Sequence, residues 1–344
     1  MLNDGSPVTL FHLENDLLEL DICDYGVRLV SLRYKPLNQQ LVMGQWPLSD
    51  YLQDQSCFGA VVGRTCNRIK NAQFELNGVQ YHLEANDFPH HLHGGSDGFQ
   101  NRRWNTEVQS DGLIFTIESR DGEGGYPGNV TASVRITLEG EQLSYEYRAD
   151  VDRPTYVDMT NHAYFSLDSS GSILDHELLI AAQSFAAVDE TLIPTGHLLN
   201  VDQSPFDFRT PRTLRSGIHH PHLQLQLARG YDHSYLLDSA LQVISSLESD
   251  VPVTKAQSLV MLFSPQSRIE MHLSTTAPAI QLYSGNFLGK PHSALCLETQ
   301  HLPNACNQSG FQAPLVTPLV AYSSQTKFRF REREPQSEPQ SEPQ

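Results

Sequence analysis

Residues 294–300, A-L-C-L-E-T-Q, set one carboxylate in a run of otherwise apolar or neutral side chains. Extended backbone sends successive side chains to opposite faces. As a strand, the segment turns Leu295, Leu297 and Thr299 one way and Cys296, Glu298 and Gln300 the other. A carboxylate in mid-strand is costly among apolar neighbours unless it is hydrogen-bonded or useful. Partial burial raises its pKa toward the range in which a carboxylate works as a base at neutral pH. The second candidate is His162, between Asn161 and Tyr164 in D-M-T-N-H-A-Y-F-S-L (158–167). An imidazole titrates near neutrality, which suits general acid or base work.

Polar side chains also gather in residues 58–104, where F-G-A-V-V-G-R-T-C-N-R-I and H-H-L-H-G-G-S-D-G-F-Q-N-R-R-W bracket a hairpin. Arg64, Asn67 and Arg68 offer donors, and Gly94-Gly95 after His93 would let backbone approach a ligand closely. The plain alternatives are surface ion pairing for the two arginines and a satisfied structural role for an isolated histidine. Asp232 in G-Y-D-H-S-Y interrupts an aromatic stretch, with a turn-capping role as its alternative. His90, His91 and His93 invite a metal reading. There is no H-E-x-x-H or paired-cysteine spacing to complete a zinc site, so no metal is expected. The run His219-His220-Pro221-His222 reads as a loop. So does D-G-E-G-G-Y-P-G (121–128), which lacks the Lys-Ser/Thr ending of a phosphate-binding loop. Neither a G-x-S-x-G elbow nor a cofactor fingerprint is present, and no cofactor is expected.

The elements that must carry these groups are strands. Leu18, Leu20 and Ile22 alternate with Glu19 and Asp21, Val27 to Leu32 alternate likewise, and Phe74 and Leu76 precede a hairpin turn at Asn77-Gly78. Further strands are expected near 113–117, 130–138, 143–148, 178–182, 259–263, 269–273, 279–283 and 294–299. Glycine and proline punctuate the chain and no long helical period is visible, so the fold class is all-β with few helices. The spacing of turn signals implies one continuous domain over 1–330. The E-P-Q-S repeat in 331–344 has no apolar residue and reads as a disordered tail.

Composition limits the function classes. Against 23 basic side chains stand 40 acidic ones, a formal charge of −17 that opposes both nucleic acid and an anionic membrane surface. No apolar run is long enough to span a bilayer, residues 1–6 are polar, and five scattered cysteines fit no disulfide framework. A cytoplasmic location is therefore expected. The sequons at Asn129 and Asn307 would matter only in a secreted chain.

These residues resemble the aldose 1-epimerases, the galactose mutarotase family. The likeness is carried in order by V-G-R-T-C-N-R-I (62–69), L-H-G-G (92–95), G-Y-P-G-N (125–129), T-N-H-A-Y-F-S-L (160–167), I-P-T-G (193–196), P-F-D-F-R (205–209), G-Y-D-H (230–233), Q-L-Y-S-G-N-F-L (281–288) and C-L-E-T-Q (296–300). It implies a single-domain β-supersandwich. The implied activity is that of an isomerase interconverting the α and β anomers of free aldoses such as galactose and glucose, without metal or organic cofactor. By the same resemblance Glu298 is the base and His162 the acid. His93 assists near the ring and anomeric oxygens, Asn67, Arg68, Asp232 and Gln281 hold sugar hydroxyls, and Tyr164 lies beside the acid. Departures from the family pattern fall at Ser166, Ser234, Asn304 and a shortened 289–293 connection, which puts sugar preference and the cleft rim in question. Two other readings stay open: a hexose-6-phosphate 1-epimerase, for which Arg102-Arg103 is the nominated basic pair, and a sugar-binding protein without catalysis. The expected partner is a small aldose, and the expected state a monomer or weak homodimer.

Overall fold

The computed structural model describes residues 7–44, 48–52, 56–238 and 259–334. Among the described residues the architecture is antiparallel β throughout its ladders, with only three short helices, Leu48–Tyr51, Arg215–Ile218 and Leu223–Ala228. The largest sheet has nine strands in the order Asn105–Gln109, Gly112–Ser119, Val130–Glu139, Gln142–Val151, Tyr322–Glu332, Ile269–Thr275, Val260–Phe263, Glu177–Ile180 and Arg212–Thr213. A second sheet has seven, in the order Pro194–Asn200, Ala182–Val188, Asp232–Leu237, Ala279–Tyr283, Leu295–Gln300, Tyr164–Phe165 and Val42–Met43. The N-terminal strands Leu10–Glu14, Leu18–Cys23, Arg28–Tyr34 and Gln39–Gln40 form a third.

One apolar core joins all three sheets. Leu18, Leu20 and Ile22 are fully buried, as their alternation requires, while Glu19 and Asp21 lie partly in solvent. Phe165 of the seven-stranded sheet meets Phe328 of the nine-stranded sheet at a 5.2 Å ring-centroid distance. Beside them the Thr299 and Thr326 hydroxyls approach to 2.6 Å. Phe11 closes on Phe115 at 5.9 Å, seating the N-terminal sheet on the same core. Each sheet thus spends one face on the core, leaving the other face of the seven-stranded sheet to carry polar side chains.

The hairpin expected at Asn77-Gly78 is present: Leu76 pairs with Val79, and both turn residues have positive φ. Strands occupy the segments expected from alternation, and others went unnoticed, the longer ones being Leu10–Glu14, Asn105–Gln109, Ala182–Val188, Pro194–Asn200, Asp232–Leu237 and Tyr322–Glu332. Ala182–Val188, Pro194–Asn200 and Asp232–Leu237 mix polar and apolar residues without regular alternation, which blurs their period. Tyr322–Glu332 alternates strictly, but two of its inward positions, Ser324 and Thr326, are polar rather than apolar. This last strand runs through Glu332, so Arg331 and Glu332 belong to the sheet rather than to a tail. They are held there by ladder pairing with Glu270 and Ile269. Residues 335–344, where the rest of the expected tail falls, lie outside the described residues.

Candidate active site

The strand Leu295–Gln300 divides as its alternation demands. Leu295 and Leu297 enter the core and Thr299 reaches across to the other sheet, while Glu298 lines a cleft and Cys296, on the same strand face, lies against the His162 ring. Antiparallel register lines up the neighbours on that face. Ser234 lies opposite Gln281, and Gln281 opposite Glu298. One step along, Asp232 lies opposite Tyr283, Tyr283 opposite Cys296, and Cys296 opposite Tyr164. Four strands therefore deliver two rows of polar and aromatic side chains to one surface.

The opposing wall comes from connections. Arg68–Ile69 pairs with His91–Leu92, and the two residues flanking this small ladder, Asn67 and His93, both adopt left-handed backbone. Asn67 N–H donates to His93 Nδ1 at 3.1 Å, and His93 N–H to the Asn67 carbonyl at 3.2 Å. Gly94 is required here, because a Cβ at that position would overlap the Gly63 carbonyl. A Cβ at Gly95 would in the same way meet the Glu84 side chain. His162 sits between the strands Thr160–Asn161 and Tyr164–Phe165, its amide donating to the Ala60 carbonyl at 2.8 Å.

The cleft is lined by Ser56, Cys57, Asn67, Arg68, Leu92, His93, His162, Tyr164, Asp232, Tyr283, Phe287 and Glu298. His162 Nε2 stands 3.7 Å from Glu298 Oε1, and its Nδ1 is 3.4 Å from Cys296 Sγ. The His93 and His162 rings meet edge to face at 5.3 Å, and Tyr164 tilts against His162 at 5.1 Å. Gln281 Nε2 donates to Asp232 Oδ1 at 2.6 Å. Arg68 Nε donates to Asp87 Oδ2 at 2.8 Å and its Nη1 lies 4.0 Å from Asp232. Of the residues singled out from the sequence, Glu298, His162, Asn67, Arg68, His93, Tyr164 and Asp232 line this one cleft, and Gln281 stands behind it on Asp232.

Burial sets the electrostatics. Glu298 is 2% exposed, and burial, reinforced by the Asp232 charge and eased by Arg68, pushes its carboxyl up to about 8. Asp232 is raised for the same first reason, against the pull of Arg68 and Gln281. His93 is held well below its ordinary value by burial and by the neighbouring His162 and Arg68, so its ring is neutral. Because its Nδ1 accepts the Asn67 amide, the His93 proton sits on Nε2. Glu298 Oε2, Gln281 Oε1 and Ser234 Oγ are buried with no hydrogen-bond partner among the described residues.

Ligand atoms of His93, His162 and Glu298 fall within 4.8 Å of one another, a spacing compatible with a metal ion. The hydrogen bond from Asn67 argues against that use. With Nδ1 accepting, His93 presents an N–H rather than a lone pair at Nε2. His90 and His91 stand outside the cleft lining. His90 Nδ1 accepts the Asn71 amide, and His91 bonds the Glu84 carbonyl and the Tyr126 hydroxyl. His222 caps the helix Leu223–Ala228 through Gln224 N–H.

Several plain alternatives also need correcting. Arg64 is buried and donates to Ser119 and to the Pro127 and Arg120 carbonyls, so it is a structural donor rather than a surface ion pair. Asp232 lies within a strand instead of capping a turn. Ser166, Ser234, Asn304 and residues 289–293 are not among the cleft-lining residues. Phe287, Tyr283 and Asp87 were missed. Tyr283 was within reach of sequence reasoning, since it follows Gln281 by two on the same strand face. Asp87 gave no signal, because only the packing of its loop brings it to Arg68.

A family model described as aldose 1-epimerase matches residues 9–329. Galactose mutarotase from Rattus norvegicus is 39% identical over 342 residues, covering 95% of each chain. Aldose 1-epimerase from Escherichia coli K12 is 35% identical, covering 95% of this chain and 96% of its own. Among solved structures, an aldose epimerase homologue from C. elegans superimposes with a TM-score of 0.84 at 28% identity, over 95% of this chain and all of its own. With likeness across nearly its whole length in both sequence and fold, this chain belongs to the aldose 1-epimerase family.

Proposed function

We propose that the cleft interconverts the α and β anomers of free aldoses such as galactose and glucose by general acid-base catalysis, with Glu298 as base and His162 as acid. The observation that carries this reading is the pair itself, a buried carboxylate and an imidazole 3.7 Å apart in one cleft. A cyclic aldose bears its anomeric hydroxyl and ring oxygen on a single carbon, so the two oxygens lie close enough for one to meet Glu298 and the other His162. Glu298 takes the proton of the anomeric hydroxyl as that oxygen forms a carbonyl. The bond from C1 to the ring oxygen breaks, and the ring oxygen takes the proton from His162 Nε2. Rotation about the C1–C2 bond presents the other aldehyde face, and the reverse transfers close the ring.

Two protons on the pair leave no base and none leaves no acid, so the working enzyme carries one. The retention of that proton follows from the enclosure that lifts Glu298 to about 8. His93 Nε2–H donates to the developing charge between the ring and anomeric oxygens. Asn67, Arg68, Asp232 and Gln281 bind the remaining hydroxyls, and the unpartnered Gln281 Oε1 and Glu298 Oε2 are groups a polyol would satisfy. Tyr164 walls the acid. No metal or organic cofactor enters these steps. One chain supplies every group, in keeping with a monomer as the working unit, and five cysteines without a disulfide fit a cytoplasmic setting.

The hexose-6-phosphate alternative calls for uncommitted cations in the cleft. Among the described residues the lining offers Arg68, already bonded to Asp87, while Arg102 and Arg103 pair with Glu123 and Asp24. The deciding experiment is polarimetry on freshly dissolved α-D-galactose and α-D-glucose at neutral pH, with galactose 6-phosphate alongside. Wild type hastens decay of both free sugars to the uncatalysed end point. Glu298→Gln and His162→Asn each lose roughly 10²–10⁴-fold in kcat while remaining folded. Faster turnover of the phosphorylated sugar would replace this reading with the phosphate one, and sugar binding without faster decay would replace it with the binding-protein one.

A further inference from the structure

The side of His162 that faces away from the cleft meets a sulfur atom: Nδ1 lies 3.4 Å from Cys296 Sγ. Strand register brings this about, since Cys296 is paired with Tyr164, two residues beyond His162, and points to the same face as Glu298. Resting on the acid role given to His162 above, we propose that Cys296 is its positioning residue, accepting the Nδ1–H so that the exchangeable proton is always the one on Nε2.

The chemistry requires such a partner. When imidazolium releases the Nε2 proton to the ring oxygen, the neutral ring must keep its proton on Nδ1, or the same nitrogen cannot be reprotonated in place. An acceptor at Nδ1 secures that tautomer and fixes the ring plane. The kind of acceptor sets the strength of the acid. Elsewhere in this fold His301 has the Asp158 carboxylate 3.1 Å from its Nδ1, and although burial lowers its pKa, that carboxylate outweighs burial and raises it. A carboxylate behind His162 would likewise hold the proton and weaken the acid. Cys296 is neutral instead: burial, with the Glu298 and Asp232 charges beside it, pushes its thiol well above the ordinary range. Also against the ring are Glu298 at Nε2, His93 edge-on and Tyr164 on its face. Tyr164 is also kept neutral by burial. Sulfur is a weak acceptor, so it orients the imidazole without trapping its proton.

The test has an arm that is independent of turnover. In ¹⁵N-histidine-labelled protein, with the His162 signals assigned by their loss in His162→Asn, the neutral ring is expected as the Nδ1–H tautomer. An Nε2–H ring overturns the proposal whether or not the enzyme is a mutarotase. In kinetics, Cys296→Ala is expected to lose about tenfold in kcat with KM within twofold, the effect of one hydrogen bond. Its alkaline limb, where the pair loses its proton, should move to lower pH because the imidazolium has lost an acceptor. Cys296→Ser, which keeps an acceptor at the same site, should recover most of kcat and return the limb. A folded Cys296→Ala with unchanged kcat and unchanged limb overturns the proposal, as does a folded Cys296→Ser no better than Cys296→Ala. Should Cys296→Ala fail to fold, the wild-type tautomer decides alone.

Discussion

Glu298 shows what a buried carboxyl group costs the molecule. Its carboxyl titrates at about 8 because burial disfavours the charge, whereas an exposed glutamate titrates near 4.5. A folded-state pKa above the unfolded one means that the native protein binds the proton more tightly than the denatured chain. The contribution of this one group to stability is therefore fully present below about 4.5 and is lost as pH rises toward about 8. Glu298→Gln removes the charge and keeps the shape. It is expected to be more stable than wild type by an amount that grows between those limits and levels off above, on the order of a few kcal/mol. Denaturant unfolding of both proteins across that range checks it, and an advantage that does not change with pH would refute this account. Under the proposed mechanism the same substitution is expected to lose most turnover, so the group would cost stability where it provides function.

At the scale of elements, each strand around the cleft works on two faces. The register that puts Glu298, Gln281 and Ser234 in one row puts Leu297, Leu282 and Tyr235 among the core residues. A one-residue slip would bury the Glu298 row in the core and expose the apolar one, so core packing is what holds the cleft residues in place. Phe328 is central to that packing, lying against Phe165 of the sheet that carries the cleft and Tyr145 of its own sheet. Phe328→Ala is expected to cost about 3–5 kcal/mol. Chemical denaturation measures this, and a loss below 1 kcal/mol would mean that the two sheets are held together elsewhere. The loops contribute differently. Asn67 and His93 reach the cleft through left-handed backbone and a mutual pair of hydrogen bonds rather than through a sheet.

For the molecule as a whole, the nine-stranded sheet is tied at its end by a buried charge cluster. Glu270, 1% exposed, accepts from Arg331 Nε at 2.7 Å and Arg333 Nη2 at 2.6 Å and contacts His272 Nε2 at 2.9 Å. Burial works to raise this carboxyl, but its three partners outweigh burial and hold it far below the usual carboxylate range. A depressed folded-state pKa gives stability that is present above the ordinary carboxylate range and is lost as pH falls through it. Glu270→Gln is expected to destabilise the protein by about 2–3 kcal/mol at neutral pH, the scale of hydrogen bonds to charged groups. The difference from wild type should shrink in acid. Thermal unfolding of both proteins at neutral and acid pH tests this, and an equal loss at both would show that packing rather than charge holds the strand end.

Alternation alone told which side of the 294–300 strand carries Glu298, that Asn77-Gly78 turns a hairpin, and that the chain is all-β, because a strand's period of two is a property of the local backbone. The catalytic candidates were legible as ordered motifs, Glu298 and His162 above all, because their residue types limit their chemistry. Tertiary structure decided the rest. It brought residues 136 positions apart to 3.7 Å, put Asp87 on Arg68, and turned Arg64 from a surface charge into a buried scaffold donor. It also set Cys296 behind His162. Protonation states belong to that second group as well. A glutamate moves to about 8 only when the sheets have closed around it, and desolvation is a property of the enclosure and not of the residue.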